Sequence, residues 1–396
     1  MKWTKKGHEL EEQWEALKGG CFYIYGAGDY GARMSRTLSK LGIEFAFVDG
    51  NYDKQQNGYL GKKVISPVEL VERPEKKLII LAAMENTMLE MRRILEKHGM
   101  EKNRDFWYME EFKQSVLPVY AWYALGKIYM PSVGFLSTTV CNLNCDGCLN
   151  FTAYNKNQKN ENVEDLKKTL ADYFKNVDVV DFFSYTGGEP FLHPEADEIL
   201  EYIGSHYRKQ IVSLGISTNC TIVPKDRVCE ICARYGFCFL IDDYSKYVER
   251  SKKILPEIEE KLQKYGVEYA VNTGDEAYWI DLEPLKTDNY GMSEEELIAY
   301  RDRCAVPYRE LYHSRLYACN YANFGIKAGL ETEESNDSFD LSGGEVEDKV
   351  VFVEFIMGYT EKGYVNFCKH CAGFLPINPY KKPVGKQLPR GEEKNV

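Results

Sequence analysis

The sequence predicts an α/β chain: a partial (β/α)6 barrel, preceded by a small parallel-sheet unit and followed by a small α+β unit that carries spaced cysteines. Three observations predict it. Strand and helix patterns alternate through residues 132–271, as parallel strands joined by helical crossovers require. A shorter alternation, opened by a glycine-rich turn, occupies residues 1–115. The twelve cysteines include two sets, one just after a strand and one beyond the alternating region.

A chain of 396 residues is long enough for two or three substantial cores. Its net charge of −11 argues against a nucleic-acid partner held by phosphate contacts, so small molecules or a protein are the expected substrates. Met1–Leu10 is polar, and the most apolar stretch, Val116–Met130, is broken by Pro118, Gly126 and Lys127. Neither a leader nor a membrane span is expected, and the reading is cytoplasmic. Cysteines in such a chain point to metal ligands and free thiols, not disulfides.

Taken in order, Glu9–Lys18 reads as an amphipathic helix with Leu10, Trp14 and Leu17 at helical spacing. Cys21–Tyr25 has a buried-strand pattern and enters Gly26-Ala27-Gly28-Asp29-Tyr30-Gly31, a G-x-G-x-x-G turn ahead of a helix over Ala32–Leu41. The next strand, Phe45–Val48, ends in Asp49. Gly26, Gly28 and Gly31 let a phosphate approach the helix N-terminus, and Asp49 stands where ribose hydroxyls are accepted. Strands at Leu78–Ala82 and Phe106–Tyr108, with a helix at Asn86–His98 between them, complete the unit. It resembles the short Rossmann-like units of sugar-modifying enzymes, one type of which takes a nucleotide-sugar. That resemblance implies a nucleotide or nucleotide-sugar here. A nicotinamide dinucleotide, or glycines that serve only close packing in an interaction domain, are the alternatives. Residues 116–131 read as a linker helix that packs across the barrel, with Tyr120, Trp122, Tyr123 and Tyr129 at a domain interface.

Ser132–Val140 reads as a strand, and Cys141, Cys145 and Cys148 leave it with the spacing C-x3-C-x2-C. Three thiolates suit one face of an iron–sulfur cube and leave one iron open, whereas zinc asks for a fourth close ligand. Farther on, Phe182–Tyr185 runs into Gly187-Gly188-Glu189-Pro190, and Val212–Ser217 ends in Thr218-Asn219. Together these resemble the radical S-adenosylmethionine (radical SAM) superfamily. The resemblance implies a 4Fe–4S cluster on the three cysteines, whose open iron chelates SAM. It also implies SAM contacts from Gly187, Gly188, Glu189, Pro190, Ser217 and Asn219, reductive cleavage to a 5′-deoxyadenosyl radical, and a flavodoxin- or ferredoxin-type reductant. The chain departs from the family at Gly147, where relatives carry an aromatic residue that holds the adenine; Phe151 or Tyr154 is expected to replace it.

Helices at Val163–Asn176, His193–Tyr207, Lys225–Tyr235 and Ser251–Tyr265 separate strands at Val179–Tyr185, Ile211–Ser217, Phe237–Asp242 and Val267–Val271. These strands are too few to close eight, so residues 132–290 form a partial TIM-like barrel. Function in such barrels gathers at C-terminal strand ends, which adds Asp242-Asp243-Tyr244 to the motifs above. His193 reads as a capping or packing residue, and Cys21, Cys220, Cys229, Cys232 and Cys238 as buried thiols.

Cys304 precedes a hairpin (Glu310–Tyr312 and Leu316–Ala318) that delivers Cys319, and Cys368 and Cys371 follow as C-x2-C. This spacing resembles the twitch auxiliary-cluster domain, the shorter relative of SPASM domains, although Ser314 stands where relatives have glycine. The resemblance implies a second 4Fe–4S cluster over residues 291–378 with all four irons ligated; a four-cysteine zinc ribbon is the alternative. Residues 379–396, rich in proline, lysine and glutamate, read as a flexible tail.

The ligand pattern is similar to that of twitch enzymes that oxidise an aminocyclitol. The expected function is therefore hydrogen abstraction from a carbohydrate-like or nucleotide-sugar substrate, ending in oxidation or epimerisation, with the second cluster as electron relay. A peptide- or protein-modifying maturase and a non-catalytic metal-binding scaffold are the alternatives. For the proton that leaves an alcohol, Asp243, Tyr244 and Arg309 are candidates, each equally readable as a salt bridge or packing residue.

Overall fold

The first strand, β1 (Cys21–Tyr25), is buried at every position after Cys21. Around it lie β2 (Phe45–Val48), β3 (Val64–Ile65), β4 (Lys77–Leu81) and β5 (Phe106–Tyr108), all parallel, in the order β3-β2-β1-β4-β5. The computed structural model describes residues 8–272, 278–282, 289–374 and 378–389. They divide into two compact units, one ending at Pro131 and one starting at Ser132.

In the first unit, the apolar alternation puts Tyr23, Tyr25, Val48, Ile79, Leu81 and Phe106 into one core. The helix Asp29–Leu41 leaves the glycine turn and buries Met34, Leu38 and Leu41. Gly31 lies against the Gly26 carbonyl with no space for a Cβ, so the turn and helix close tightly only with glycine there. The helix Leu117–Leu125, expected as a linker across the barrel, belongs to this unit. Tyr120 meets Phe22 edge-on at 4.7 Å and Tyr123 stacks on Trp14 at 6.1 Å, so aromatic burial holds it to the first sheet.

The second unit contains β6 (Tyr129–Thr138, from Ser132 on), β7 (Val179–Gly187), β8 (Ile211–Thr218), β9 (Phe237–Asp242), β10 (Glu268–Asn272) and β11 (Tyr278–Ile280). It continues with β12 (Arg309–Tyr312), β13 (Arg315–Tyr317), β14 (Ser338–Asp340) and β15 (Lys381–Pro383). Eight of these form one sheet in the order β10-β9-β8-β7-β6-β12-β13-β14. Strands β7 to β10 are parallel, and each is preceded by a helix with one buried face, as at Val163–Phe174 and Asp226–Tyr235.

The hairpin β12–β13, expected in a separate C-terminal unit, instead extends the barrel sheet, with Arg309, Glu310 and Leu311 parallel to Val133, Gly134 and Phe135 of β6. Gly134 makes this pairing fit, since a Cβ there would run into the Glu310 carboxylate. Residues 378–389 also depart from the expected flexible tail. Strand β15 pairs antiparallel with β11, and the residues after it lie on the Cys141–Cys148 loop. Residues 390–396 lie outside the described residues. Cys220, Cys229 and Cys232 are buried as expected and Cys238 is half-buried, but Cys21 is exposed at the entry of β1. Among the described residues no helix is long and apolar enough to cross a membrane.

Candidate functional site

The C-terminal ends of β6, β7 and β8 meet through the glycine–glutamate turn. A Cβ on Gly187 would lie 2.7 Å from the Thr138 carbonyl oxygen, and one on Gly188 would strike the Val140 carbonyl. Two glycines therefore let this turn run against the backbone that leads into Cys141, where Gly188 N–H donates to Thr138 (2.9 Å) and Glu189 N–H to Val140 (2.8 Å). The Glu189 carboxylate is fully buried. It accepts from the Thr218 hydroxyl (2.9 and 3.0 Å), Asn219 N–H (2.8 Å) and Phe191 N–H (3.1 Å). Burial pushes its pKa up to about 7, against the pull of these donors. The carboxylate expected to meet SAM is thus engaged in joining β7 to β8, and the buried Pro190 opens the short turn that follows. Thr218, which sequence reasoning passed over in favour of its neighbours, is the residue that makes this tie.

Asn219 then reaches the cysteine loop. Its Nδ2 donates to Asn142 Oδ1 (3.1 Å) and toward Cys141 Sγ (3.6 Å), while its Oδ1 accepts from Thr221 N–H (3.0 Å). Cys145 is buried and Cys141 and Cys148 are half-buried, with the Cys148 thiol 3.4 Å from the Thr152 hydroxyl. Burial pushes Cys141 up to about 12 and raises Cys145 as well, so these sulfurs become thiolates only when a bound cation holds them so. Gly147 adopts φ +78, a left-handed conformation in which the family's aromatic residue would be strained. Phe151 and Tyr154, expected to replace that aromatic, are both buried, and Phe151 packs on Phe367 at 5.4 Å. Neither presents an open face for adenine.

The three expected proton-transfer residues are not brought together. Asp243 Oδ1 accepts from Ser245 N–H (2.8 Å) and caps a turn. Tyr244 is buried among Cys145, Val248 and Val384. Arg309 is buried away from both, with its guanidinium against Gly358 beside that of Arg301. The next residue on β12, Glu310, points to the opposite face. Its Oε1 accepts from Thr186 Oγ1 (3.3 Å), on the side of β7 that carries Ser184; Ser184 lies 3.4 Å from Ser217, which is exposed on β8. Glu310 is a carboxyl that sequence reasoning missed; its signal was an acidic residue beside Arg309 in a strand that continues with Leu311 and Tyr312.

Burial raises Glu310 to about 8. An acid raised in this way gives stability that is complete below its ordinary value near 4.5 and is lost as pH rises toward 8. The stability difference between the native chain and Glu310→Gln is therefore expected to shift against the native chain over that window. Melting temperatures measured from pH 5 to pH 8 check this; a difference that is flat with pH would refute it.

The second cysteine set converges although its members come from three segments. Cys304, Cys319, Cys368 and Cys371 line one cavity, together with Arg301 and Phe374. Arg301 donates to the Ala318 carbonyl (3.2 Å) and Arg309 to the Val306 and Tyr308 carbonyls (3.4 Å each), while Arg309 Nε finds no hydrogen-bond partner among the described residues. Burial and the neighbouring Arg301 charge pull Arg309 down to about 10. Among the described residues no three His, Cys, Asp or Glu side chains converge as ligands of a single ion do.

In the first unit, Gly28 faces open space, whereas Gly26 and Gly31 are packed. Asp49, at the end of β2, is partly exposed and bonded within the turn. It accepts from Ala27 N–H (2.8 Å) and Asn51 N–H (2.9 Å), and Lys54 closes over the turn by donating to the Ala27 carbonyl (2.7 Å).

Residues 135–244 match the family model described as Radical SAM superfamily, so this stretch is a radical SAM domain. Such a domain implies an enzyme that uses a 4Fe–4S cluster and SAM. An uncharacterized protein of Methanocaldococcus jannaschii is 34% identical over 87 residues, which cover 22% of this chain and 29% of that protein. The match thus spans less than a third of that relative's length. Among solved structures, BtrN in complex with AdoMet and 2-DOIA is 14% identical with a TM-score of 0.36, covering 61% of this chain and 92% of that one. Streptococcus suis SuiB bound to the precursor peptide SuiA is 16% identical with a TM-score of 0.30, covering 62% and 49%.

Proposed function

We propose that this protein is a radical SAM oxidoreductase or epimerase that abstracts hydrogen from a carbohydrate-like or nucleotide-sugar substrate and carries a second 4Fe–4S cluster. The observation that carries the second cluster is the cavity lined by four cysteines and flanked by two buried arginines. Neighbouring buried cations require negative charge nearby, and four cluster-bound thiolates supply it.

Cys141, Cys145 and Cys148 would hold the SAM-binding cluster, and Cys304, Cys319, Cys368 and Cys371 the other. Bound there, these groups supply reductive cleavage of SAM, hydrogen-atom abstraction and storage of an electron. The remaining work belongs to the chain. Asn219 and Asn142 orient the cysteine loop, and Glu189 keeps the ends of β7 and β8 in register. Ser184 and Ser217 offer hydroxyls to polar ligand groups. Glu310, on the same side as Thr186, is the residue placed to take the proton from a substrate hydroxyl; its raised pKa suits a general base near neutral pH. Gly26, Gly28 and Gly31 form the nucleotide-binding turn of the first unit, with Asp49 holding its shape.

The test is SAM cleavage by the reconstituted chain in the presence of nucleotide-sugars or of short peptides. Nucleotide-sugars are expected to bind and to stimulate 5′-deoxyadenosine release. Gly28→Val, whose side chain enters open space, is expected to weaken that binding and leave the fold intact. Glu310→Gln is expected to lower product formation by about 100-fold or more, the usual worth of a general base. Stimulation by peptides alone would overturn the substrate class.

A further inference from the structure

Segment 378–389 meets the first cysteine loop over several consecutive residues. Leu388 N–H donates to the Asn144 carbonyl (2.9 Å) and Asp146 N–H to the Lys386 carbonyl (2.6 Å), which makes a short antiparallel bridge between Cys145 and Gln387. The Gln387 side chain completes it. Its Oε1 accepts from Asn144 N–H (2.9 Å), and because only the oxygen can accept, the amide orientation is determined. The Nε2 group then donates to Cys145 Sγ (3.0 Å) and to the Gly385 carbonyl (2.8 Å).

Three further contacts hold the same segment down. Lys382 Nζ pairs with Asp146 at 2.5 Å, and its stem covers Gly147, where a Cβ would lie 2.7 Å from Lys382 Cδ. Val384 is buried with Cys145, Tyr244 and Val248. Gly385, at φ +73, lies so close to the Tyr244 ring that a side chain there would collide. The most buried sulfur of the loop thus takes its N–H donor from a residue 242 positions away.

We infer that residues 378–389 are a strap over the cysteine loop, and that Gln387 is a positioning residue which stabilises the metal-bound Cys145 sulfur through its amide N–H. The inference rests on the proposed role of Cys141, Cys145 and Cys148 as cluster ligands. Hydrogen bonds to cluster sulfurs raise the reduction potential, because they favour the more negatively charged reduced state. Gln387 therefore makes this site easier to reduce and slower to lose iron.

The experiment compares the reconstituted full chain with Gln387→Leu and Gln387→Glu. Gln387→Glu keeps the size and the acceptor for Asn144, but places a negative oxygen beside the sulfur. Iron per chain, the midpoint potential of each cluster by electron paramagnetic resonance titration, and iron loss to a chelator are the readouts. The first cluster's potential is expected to shift negative in Gln387→Leu and further in Gln387→Glu, while that of the second cluster stays put. Iron loss is expected to be about tenfold faster, as loss of one charge-assisted hydrogen bond implies. Unchanged potentials and iron loss in both variants would overturn the strap. A native chain that holds no cluster at Cys141, Cys145 and Cys148 would instead overturn the function on which it rests.

Discussion

Replacing Cys141, Cys145 and Cys148 together by alanine is expected to abolish SAM cleavage and to lower reconstituted iron from about eight to about four per chain. The effect is this large because the three sulfurs occupy one loop, between the β6 strand end and the Glu189–Thr218–Asn219 tie. Glu189 bonds to backbone and to Thr218, not to the cysteines, so the strand ends should stay joined and the variant should fold. Iron and sulfide quantitation, paired with chromatographic detection of 5′-deoxyadenosine, checks this. Eight irons retained, or cleavage persisting, would remove this loop from the chemistry.

The second large effect lies at the other cavity. Alanine at Cys304, Cys319, Cys368 and Cys371 is expected to remove the remaining four or so irons while SAM cleavage persists. It should also cost about 3–5 kcal/mol of stability, because the Arg301 and Arg309 charges lose the anion beside them. Both guanidiniums are almost fully buried and donate to backbone carbonyls. Adding Arg301→Met to the four-alanine variant should therefore restore part of that stability, whereas in the native chain the same substitution should destabilise. Urea unfolding of the four proteins measures this coupling directly. Additive effects would show that the arginines do not serve the cysteine site.

Much of the candidate site was legible in the residues themselves because its chemistry is local. Cys141, Cys145 and Cys148 lie within one loop, Gly187 to Pro190 within one turn, and each follows a strand whose pattern is plain. Residues whose partners lie far along the chain were not legible. Glu310 looks like any hairpin residue until β12 is laid against Gly134 of β6 and Thr186 of β7. Arg309, one of three proton-transfer candidates read from the sequence, is turned by the alternation along β12 to the side opposite Glu310. The stretch after Tyr380 was expected to be mobile from its lysines and prolines, yet Lys382 pairs with Asp146 and Pro383 opposes Tyr278.

The sequence alone determined the parallel α/β alternation, the glycine turn before the first long helix, and two cysteine sets. Periodicity and ligand spacing depend only on neighbours in the chain. The tertiary structure decided which cysteines share a cavity, which buried charges stand beside them, and which distant amide reaches Cys145. Those outcomes depend on strand register and on packing between segments up to 242 residues apart, which no local pattern encodes.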